Sequence, residues 1–431
     1  MTMKYVLKHV CIFDGYEDHE LMSDRNLYLN DEKIEFIEAG DQKIRDGYQV
    51  IDLTGKYVMP GLINLHVHLF GTGKPSSIMG GGILQKGVIN FCQTKLGRKV
   101  LDKILAENLA NQVKSGVTTV RAVGDFFYSD VDIRDQINDN KILGPRLFVS
   151  GPAITVPGGH GDGTFARSAA SLPELKKLVK DNHDHHVDLI KICVTGGVMD
   201  ALVKGEPGVV KMNLAQTKAV CDQAHELGYL VASHTESSAG IKIALAGGVD
   251  TIEHGSVLDD ELLAAFKKSS SSFICTLSPA LPLATFSPKE TKLNDLALYN
   301  SKVVLDNMIQ GTKTALANQL QVGLGTDSSC PFVTQYDMWR EVAYFVKYIG
   351  VSNQFALATA TLHNARILKI DHDTGSIEAG KMADLLVLDD NPLKNLETLS
   401  KLKMVFIKGR MINEPVIKKN KQIEKLLDTL L

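Results

Sequence analysis

The sequence predicts a (β/α)8 barrel carrying a small β-sandwich assembled from both chain ends. Three observations lead there. Eight short apolar segments in the middle of the chain alternate with helix-length amphipathic segments. Both ends of the chain carry short strands punctuated by Asp, Asn and Gly. Polar residues recur where the central strands end, which is where a barrel of this class builds its site. A chain of 431 residues is large enough for a barrel plus a smaller unit.

The N-terminal strands run from Tyr5-Val6-Leu7 to Ile12-Phe13, then Asn26-Leu27-Tyr28-Leu29. An Asn30-Asp31 turn leads into Lys33-Ile34-Glu35-Phe36-Ile37, followed by Val50-Ile51-Asp52-Leu53. The same texture returns at Asp384-Leu385-Leu386-Val387-Leu388 and Lys403-Met404-Val405-Phe406-Ile407, with Gly409 at a turn. Chain ends often lie close in space. Residues 1–58 and 368–431 are therefore expected to form one composite β-sandwich around a barrel of residues 59–367.

The eight barrel strands are expected at 62–68, 118–123, 146–150, 189–194, 230–234, 251–254, 273–277 and 322–326. Helices are expected between them, for example over 172–182, 214–227 and 259–267. A doubly wound open sheet shares this rhythm and is the alternative. Two connections read as lids. One is 70–97, rich in glycine (Gly71, Gly73, Gly80, Gly81, Gly82, Gly87); the other is 280–300, with Pro282 and Pro288 and preceded by Pro279. No GK[ST] follows the glycine triplet, so it is not a phosphate loop. The cluster His183-Asp184-His185-His186 reads as a solvated helix C-terminus, which favours histidine.

Composition narrows the function. A net charge of −3 and a pI near 6.5 argue against a general nucleic-acid or anionic-membrane binder. No apolar run approaches the roughly 18 residues of a membrane span. Met1-Thr2-Met3-Lys4-Tyr5-Val6 lacks the apolar core of a signal peptide. The six cysteines are scattered, with no CxxC pair and no disulfide framework. A cytoplasmic location, a small-molecule substrate and a homo-oligomeric state are the expectations.

The chemistry begins at His66-Val67-His68, which closes the apolar run Val58-Met59-Pro60-Gly61-Leu62-Ile63-Asn64-Leu65. Side chains alternate on a strand, so the two imidazoles leave one face together and can share a metal ion. Strand four carries Lys191 inside an apolar run. Strand five ends in Ser233-His234, strand six in Glu253-His254-Gly255 and strand eight in Gly325-Thr326-Asp327-Ser328. Singly, each has an ordinary reading: a hydrogen-bonded core histidine, a snorkelling lysine, a helix N-cap. Their coincidence at the same ends favours a metal site. A buried ammonium is costly, and a neutral amine can instead take up carbon dioxide to become a carbamate. Four histidines, one carboxylate and one bridging carbamate would satisfy two divalent ions, zinc above all, with room for a hydroxide between them.

His66-x-His68, Lys191, His234, His254 and Asp327, in that order on successive strands, resemble the amidohydrolase superfamily. The resemblance spans nearly the whole chain, from the run into His66 to Gly375-Ser376-Ile377-Glu378-Ala379-Gly380-Lys381-Met382-Ala383-Asp384-Leu385 at the return to the sandwich. Ile190-Lys191-Ile192 with Thr195-Gly196-Gly197, and Pro157-Gly158-Gly159-His160-Gly161, are similar to the imidazolonepropionase-related branch of prolidases and metallo-carboxypeptidases. His234-Thr235-Glu236-Ser237 departs from the commoner His-Ala-x-Gly of that branch.

The resemblance implies a binuclear zinc enzyme that cleaves amide bonds of dipeptides or N-acyl amino acids. It implies that His66, His68 and Asp327 hold one ion, His234 and His254 the other, and N6-carboxylated Lys191 bridges them. Asp327 would move the proton and His160 would hydrogen-bond the carbonyl or oxyanion, unless it merely orders its loop. Arg121 and Arg167 are candidates to fork onto a substrate carboxylate, with structural salt bridges as the alternative for each. Hydrolysis of a cyclic amide or lactone is the second expectation, and a non-catalytic scaffold the third. Cys193, Cys330, His225 and His363 are expected to be structural.

Overall fold

The structure is a computed structural model that describes residues 4–75 and 83–431. The chain opens with β1 (Lys4–Ile12), β2 (Met22–Asn30), β3 (Lys33–Ala39), β4 (Gln49–Asp52) and β5 (Tyr57–Pro60). The central strands follow: β6 (Leu62–Val67), β7 (Val117–Ala122), β8 (Arg146–Val149), β9 (Ala153–Thr155), β10 (Ala166–Ser168), β11 (Ile190–Cys193), β12 (Val231–Thr235), β13 (Thr251–His254), β14 (Ser272–Cys275) and β15 (Val322–Leu324). The C-terminal part adds β16 (Leu385–Leu388), β17 (Met404–Ile407) and β18 (Arg410–Asn413). All eight expected central strands are present, and β9 and β10 were not foreseen. Each of those two has only three residues, too few to show a period.

The central strands form two parallel sheets, β6-β7-β8 and β10-β9-β11-β12-β13-β14-β15. Their edges meet through backbone hydrogen bonds. Asp327 N donates to His66 O at 2.8 Å, His68 N to Ser328 O at 3.2 Å, and Asp188 N to Val149 O at 2.7 Å. Strand β11 shows how alternation serves both faces. Ile190, Ile192 and Val194 join a core that includes Leu175, Val179 and Val220 of the covering helices. Lys191 and Cys193 take the other face.

Helices fill the connections: α1 (Ile83–Gln93), α2 (Lys95–Lys114), α3 (Ser129–Asn138), α4 (Leu172–Asp184), α5 (Leu214–Glu226), α6 (Ser238–Gly247), α7 (Asp260–Ser269), α8 (Leu277–Thr285), α9 (Pro288–Thr291), α10 (Asp295–Ala317) and α11 (Met338–Tyr344). Local sequence starts them. Ser171 and Glu174 form a capping box at α4 with Pro173 in the first turn, so the missing proline N–H costs nothing there. The histidine cluster is a helix end, as expected: His185 caps α4 and stacks on Tyr128 at 3.7 Å.

Both segments read as lids contain helices. The 280–300 segment is helical, occupied by α8, α9 and the start of α10. Pro279 falls in the first turn of α8 and Pro288 opens α9 behind a Ser287–Glu290 box, positions where proline starts a helix instead of breaking it. In the 70–97 segment α1 and α2 begin at Ile83 and Lys95, and they include Gly87 and Gly97. Gly80, Gly81 and Gly82 lie outside the described residues.

The strands of the two chain ends share one eight-stranded sheet, with β4 paired to β1 beside the path β18-β17-β16-β5-β1-β2-β3. Antiparallel pairing of β16 with β5, Leu385 opposite Pro60 and Leu388 opposite Tyr57, joins residues more than 300 positions apart. β5 runs past the expected boundary at 58. The last helix, Lys421–Leu427, also departs from the expected division. Its Ile423 and Leu427 join the same core as Trp339 and Val342 of α11, and Arg340 of α11 reaches Glu424 at 3.2 Å and Asp428 at 2.7 Å. No helix of the described residues is long and apolar enough to cross a membrane.

Candidate metal centre

The strand ends bring His66, His68, Lys191, His234, His254 and Asp327 into the wall of one cavity of about 490 Å³. Ligand atoms of His66, His254 and Asp327 lie within 4.8 Å of one another, and so do those of His234, His254 and Glu236. His254 belongs to both sets. His66 Nε2 and His68 Nε2 lie 3.5 and 3.3 Å from Asp327 Oδ1.

Two of these residues reach the cluster by leaving regular strand geometry. His254 has φ +67° and Asp327 φ +53°, a left-handed conformation that His and Asp adopt more readily than most residues. The turn at His254 lets it and Glu253, consecutive on β13, both face the centre. Strand alternation alone would separate them.

The other ring nitrogens are anchored. His66 Nδ1 donates to Glu253 Oε2 at 2.7 Å and His68 Nδ1 donates to Gly124 O at 2.6 Å. His254 Nδ1 is hydrogen bonded to Thr276 Oγ1 at 2.7 Å. Such partners fix ring orientation and leave the opposite nitrogen free for a cation. Thr276 is itself held beside α8, whose first amides, Leu277 N and Ser278 N, both donate to buried Glu341 at 2.7 Å. Burial pushes Glu341 up to about 7, although the Ser278 hydroxyl and these amides pull the other way.

Burial favours the neutral imidazoles. It pulls His66 and His234 well below the ordinary histidine value, with neighbouring Lys191 and His160 respectively adding to the effect. It takes His254 to about 4. Burial likewise lowers Lys191, whose Nζ has no hydrogen-bond partner among the described residues although the residue is 1% exposed. Burial opposes ionisation of Asp327, but the surrounding histidines hold its carboxyl well below the usual range. Neutral imidazoles, a carboxylate and a buried amine with nothing to bond form a donor set suited to divalent cations.

His160 stacks on His234 with ring centroids 4.0 Å apart and 14° between planes. Gly197 permits that approach: a Cβ there would sit 3.0 Å from His160 Cε1. His160 Nδ1 donates to Asp200 Oδ2 at 2.5 Å. Burial opposes ionisation of Asp200, yet His160, the Gly197 amide and Lys211 hold it below its ordinary value.

Arg121 and Arg167, the candidates for a substrate carboxylate, are both engaged with other side chains. Arg121 is 2% exposed; its Nη2 forks onto Glu253 at 2.8 and 2.9 Å and its Nε donates to Leu65 O at 2.6 Å. Arg167 pairs with Asp181 at 2.8 Å and Tyr128 Oη at 3.1 Å. Neither lines the cavity. Apart from Lys191, Lys292 is the one Lys or Arg among the described residues that does. Its Nζ donates to Pro75 O at 3.3 Å. Sequence reading assigned no task to Glu253, Glu236 or Lys292. The first two had a signal, since each is a carboxylate within two positions of a strand-end histidine; Lys292 had none.

Imidazoles and a carboxylate gathered at parallel strand ends beneath a cavity define a metal-site α/β hydrolase. The chain belongs to the amidohydrolase family, whose sequence profile matches residues 57–412. Imidazolonepropionase of Fusobacterium nucleatum is 25% identical over 417 residues, covering 85% of this chain and 86% of its own. A solved candidate prolidase from Bifidobacterium longum is 37% identical with a TM-score of 0.86, covering 99% of this chain and 98% of that one. A solved Xaa-Pro dipeptidase with methionine bound in its active site is 26% identical with a TM-score of 0.84, covering 96% and 100%.

Proposed function

We propose that the protein is a binuclear metal-dependent amidohydrolase cleaving the amide bond of a dipeptide or N-acyl amino acid. The observation that carries this reading is Lys191 Nζ, buried without a partner in the same cavity wall as four imidazoles and Asp327. A neutral amine there adds to carbon dioxide, forming an N–C bond and releasing a proton. The resulting N6-carboxylysine would add an anionic oxygen ligand to the donor set. His66, His68 and Asp327 would hold one ion, zinc by preference, and His234 and His254 the other. Such a pair of dications lowers the pKa of water and polarises a carbonyl.

The chain's own residues do the rest. Asp327 takes a proton from the attacking water and returns it to the leaving amine. His160, its Nδ1–H committed to Asp200, donates from Nε2 to the carbonyl oxygen in its imidazolium form as charge develops. Lys292 is the cation available to a substrate carboxylate. The 37% identity to a candidate prolidase supports the dipeptide class. The two parallel sheets, joined at both edges, support one closed (β/α)8 barrel of residues 59–367. The shared terminal sheet supports a composite unit of 1–58 and 368–431, less the last helix. Six unpaired cysteines support a cytoplasmic setting, and the exposed Leu202 and Val203 support self-association.

The test is elemental analysis of protein purified without chelator, followed by a panel of dipeptides and N-acyl amino acids. Two metal equivalents are expected, with the second dependent on bicarbonate after reconstitution. Asp327→Asn is expected to abolish turnover and keep the fold; undiminished hydrolysis would remove Asp327 from the proton path. Cyclic-amide hydrolysis is the second reading, supported by the imidazolonepropionase relative. Cleavage of a cyclic amide and of no open-chain substrate would decide for it.

A further inference from the structure

Four carboxylates line the cavity, and three have evident work. Asp327 lies among the imidazoles, Asp200 accepts from His160, and Asp162 accepts from Gly158 N at 2.8 Å. Glu236 differs. It is 9% exposed, and its Oε2 is buried without a hydrogen-bond partner. Its Oε1 lies 3.9 Å from His234 Nε2, so the group stands at the edge of the metal centre.

The position is built. Glu236 N donates to Thr195 Oγ1 at 3.1 Å, which ties the residue to the end of β11. Ser237 accepts from Gly240 N as the N-cap of α6 and donates to Gly208 O at 2.7 Å. The 208 loop presses close over the Glu236 carbonyl, where a Cβ on Gly208 would come within 2.6 Å of Glu236 O. The backbone at Glu236 is thereby fixed, with its side chain on the cavity wall. A buried carboxylate oxygen with no partner is costly, and that cost is relieved when a ligand brings a cation to it.

In a dipeptide the α-amino nitrogen is two bonds from the scissile carbonyl carbon. With the carbonyl at the metal centre, that nitrogen falls beside the centre, where Glu236 stands. Apolar side chains, among them Phe165, Leu283, Val304 and Met308, make up much of the cavity wall. We infer that Glu236 receives the protonated α-amino group of the substrate, so that the enzyme selects dipeptides with a free N-terminus over N-acyl amino acids. This inference rests on the amide-hydrolase reading and narrows it.

The test compares alanyl amino acids with propionyl amino acids, which differ only by the amino group. Wild type is expected to favour the alanyl member by about 100-fold in kcat/KM, as a site that leaves a buried polar group unpaired rejects the deficient analogue. In Glu236→Gln the preference should fall to within about 3-fold, chiefly through loss on the alanyl substrate, with metal content unchanged. Glu236→Asp keeps the charge and should retain part of the preference. A preference unchanged in Glu236→Gln would overturn the inference. So would loss of a metal equivalent with equal loss on both substrates, which would make Glu236 a metal ligand. If wild type cleaves neither substrate, the amide reading itself falls and takes this inference with it.

Discussion

His66 and Glu253 meet across a 2.7 Å hydrogen bond, both essentially without solvent exposure, and Arg121 closes the other side of the same carboxylate. A guanidinium, a carboxylate and an imidazole thus run from the interior to the cavity. The carboxylate fixes which nitrogen of His66 faces the cavity, and the arginine holds that carboxylate in place with a forked pair of hydrogen bonds.

Removing either end of this relay has separable effects. Glu253→Gln is expected to weaken metal retention by about 10–100-fold, read as metal content after dialysis against a graded chelator. Arg121→Met leaves Glu253 as an uncompensated buried charge, which costs about 3–5 kcal/mol. Its signature is a fall in denaturation midpoint in the metal-free protein. An Arg121→Met protein as stable as wild type would show that the pair is not a structural one.

His160 and Asp200 make a second pair, aimed at the substrate. His160→Ala should reduce kcat by about 10²–10³-fold, with metal content unchanged. Asp200→Asn should lie between that variant and wild type, because it keeps the ring in place but loses the negative charge that pairs with the imidazolium. Equal metal content with unaltered kcat in His160→Ala would return His160 to a loop-ordering role.

Lys292 is tested through the substrate. Lys292→Met is expected to raise KM about 10-fold for substrates with a free C-terminal carboxylate, and to leave the matching C-terminal amides unaffected. Equal change on acid and amide would assign the carboxylate to another group.

Glu341 sets a pH dependence of stability. Its folded value of about 7 stands above the ordinary 4.5. Between these values the folded protein holds a proton that the unfolded chain releases, so stability falls as pH rises. The contribution is full below about 4.5 and is lost above about 7, roughly 3 kcal/mol in all. In the apoprotein, the drop in denaturation midpoint from about pH 5 to about pH 7.5 should shrink in Glu341→Gln. An identical drop in the variant would mean that Glu341 is ionised throughout.

The sequence by itself determined the central strands and the metal-ligand candidates, because these follow from local rules. Apolar segments such as Ile190-Lys191-Ile192 have to be strands to bury both faces, and a lysine inside one draws attention wherever the chain places it. The prolines of 280–300 illustrate the limit of local rules. They mark helix starts as well as helix breaks, and only the neighbours of Ser287 and Leu277 decide which. What the tertiary structure alone decided was pairing. Arg121 is equally suited to a substrate carboxylate or to Glu253, 132 positions away. Glu236 becomes notable only because no group among the described residues satisfies its buried Oε2. Hydrogen bonds and burial depend on distance in space, and in this chain the partners of the site come together from strands spread over some 260 residues.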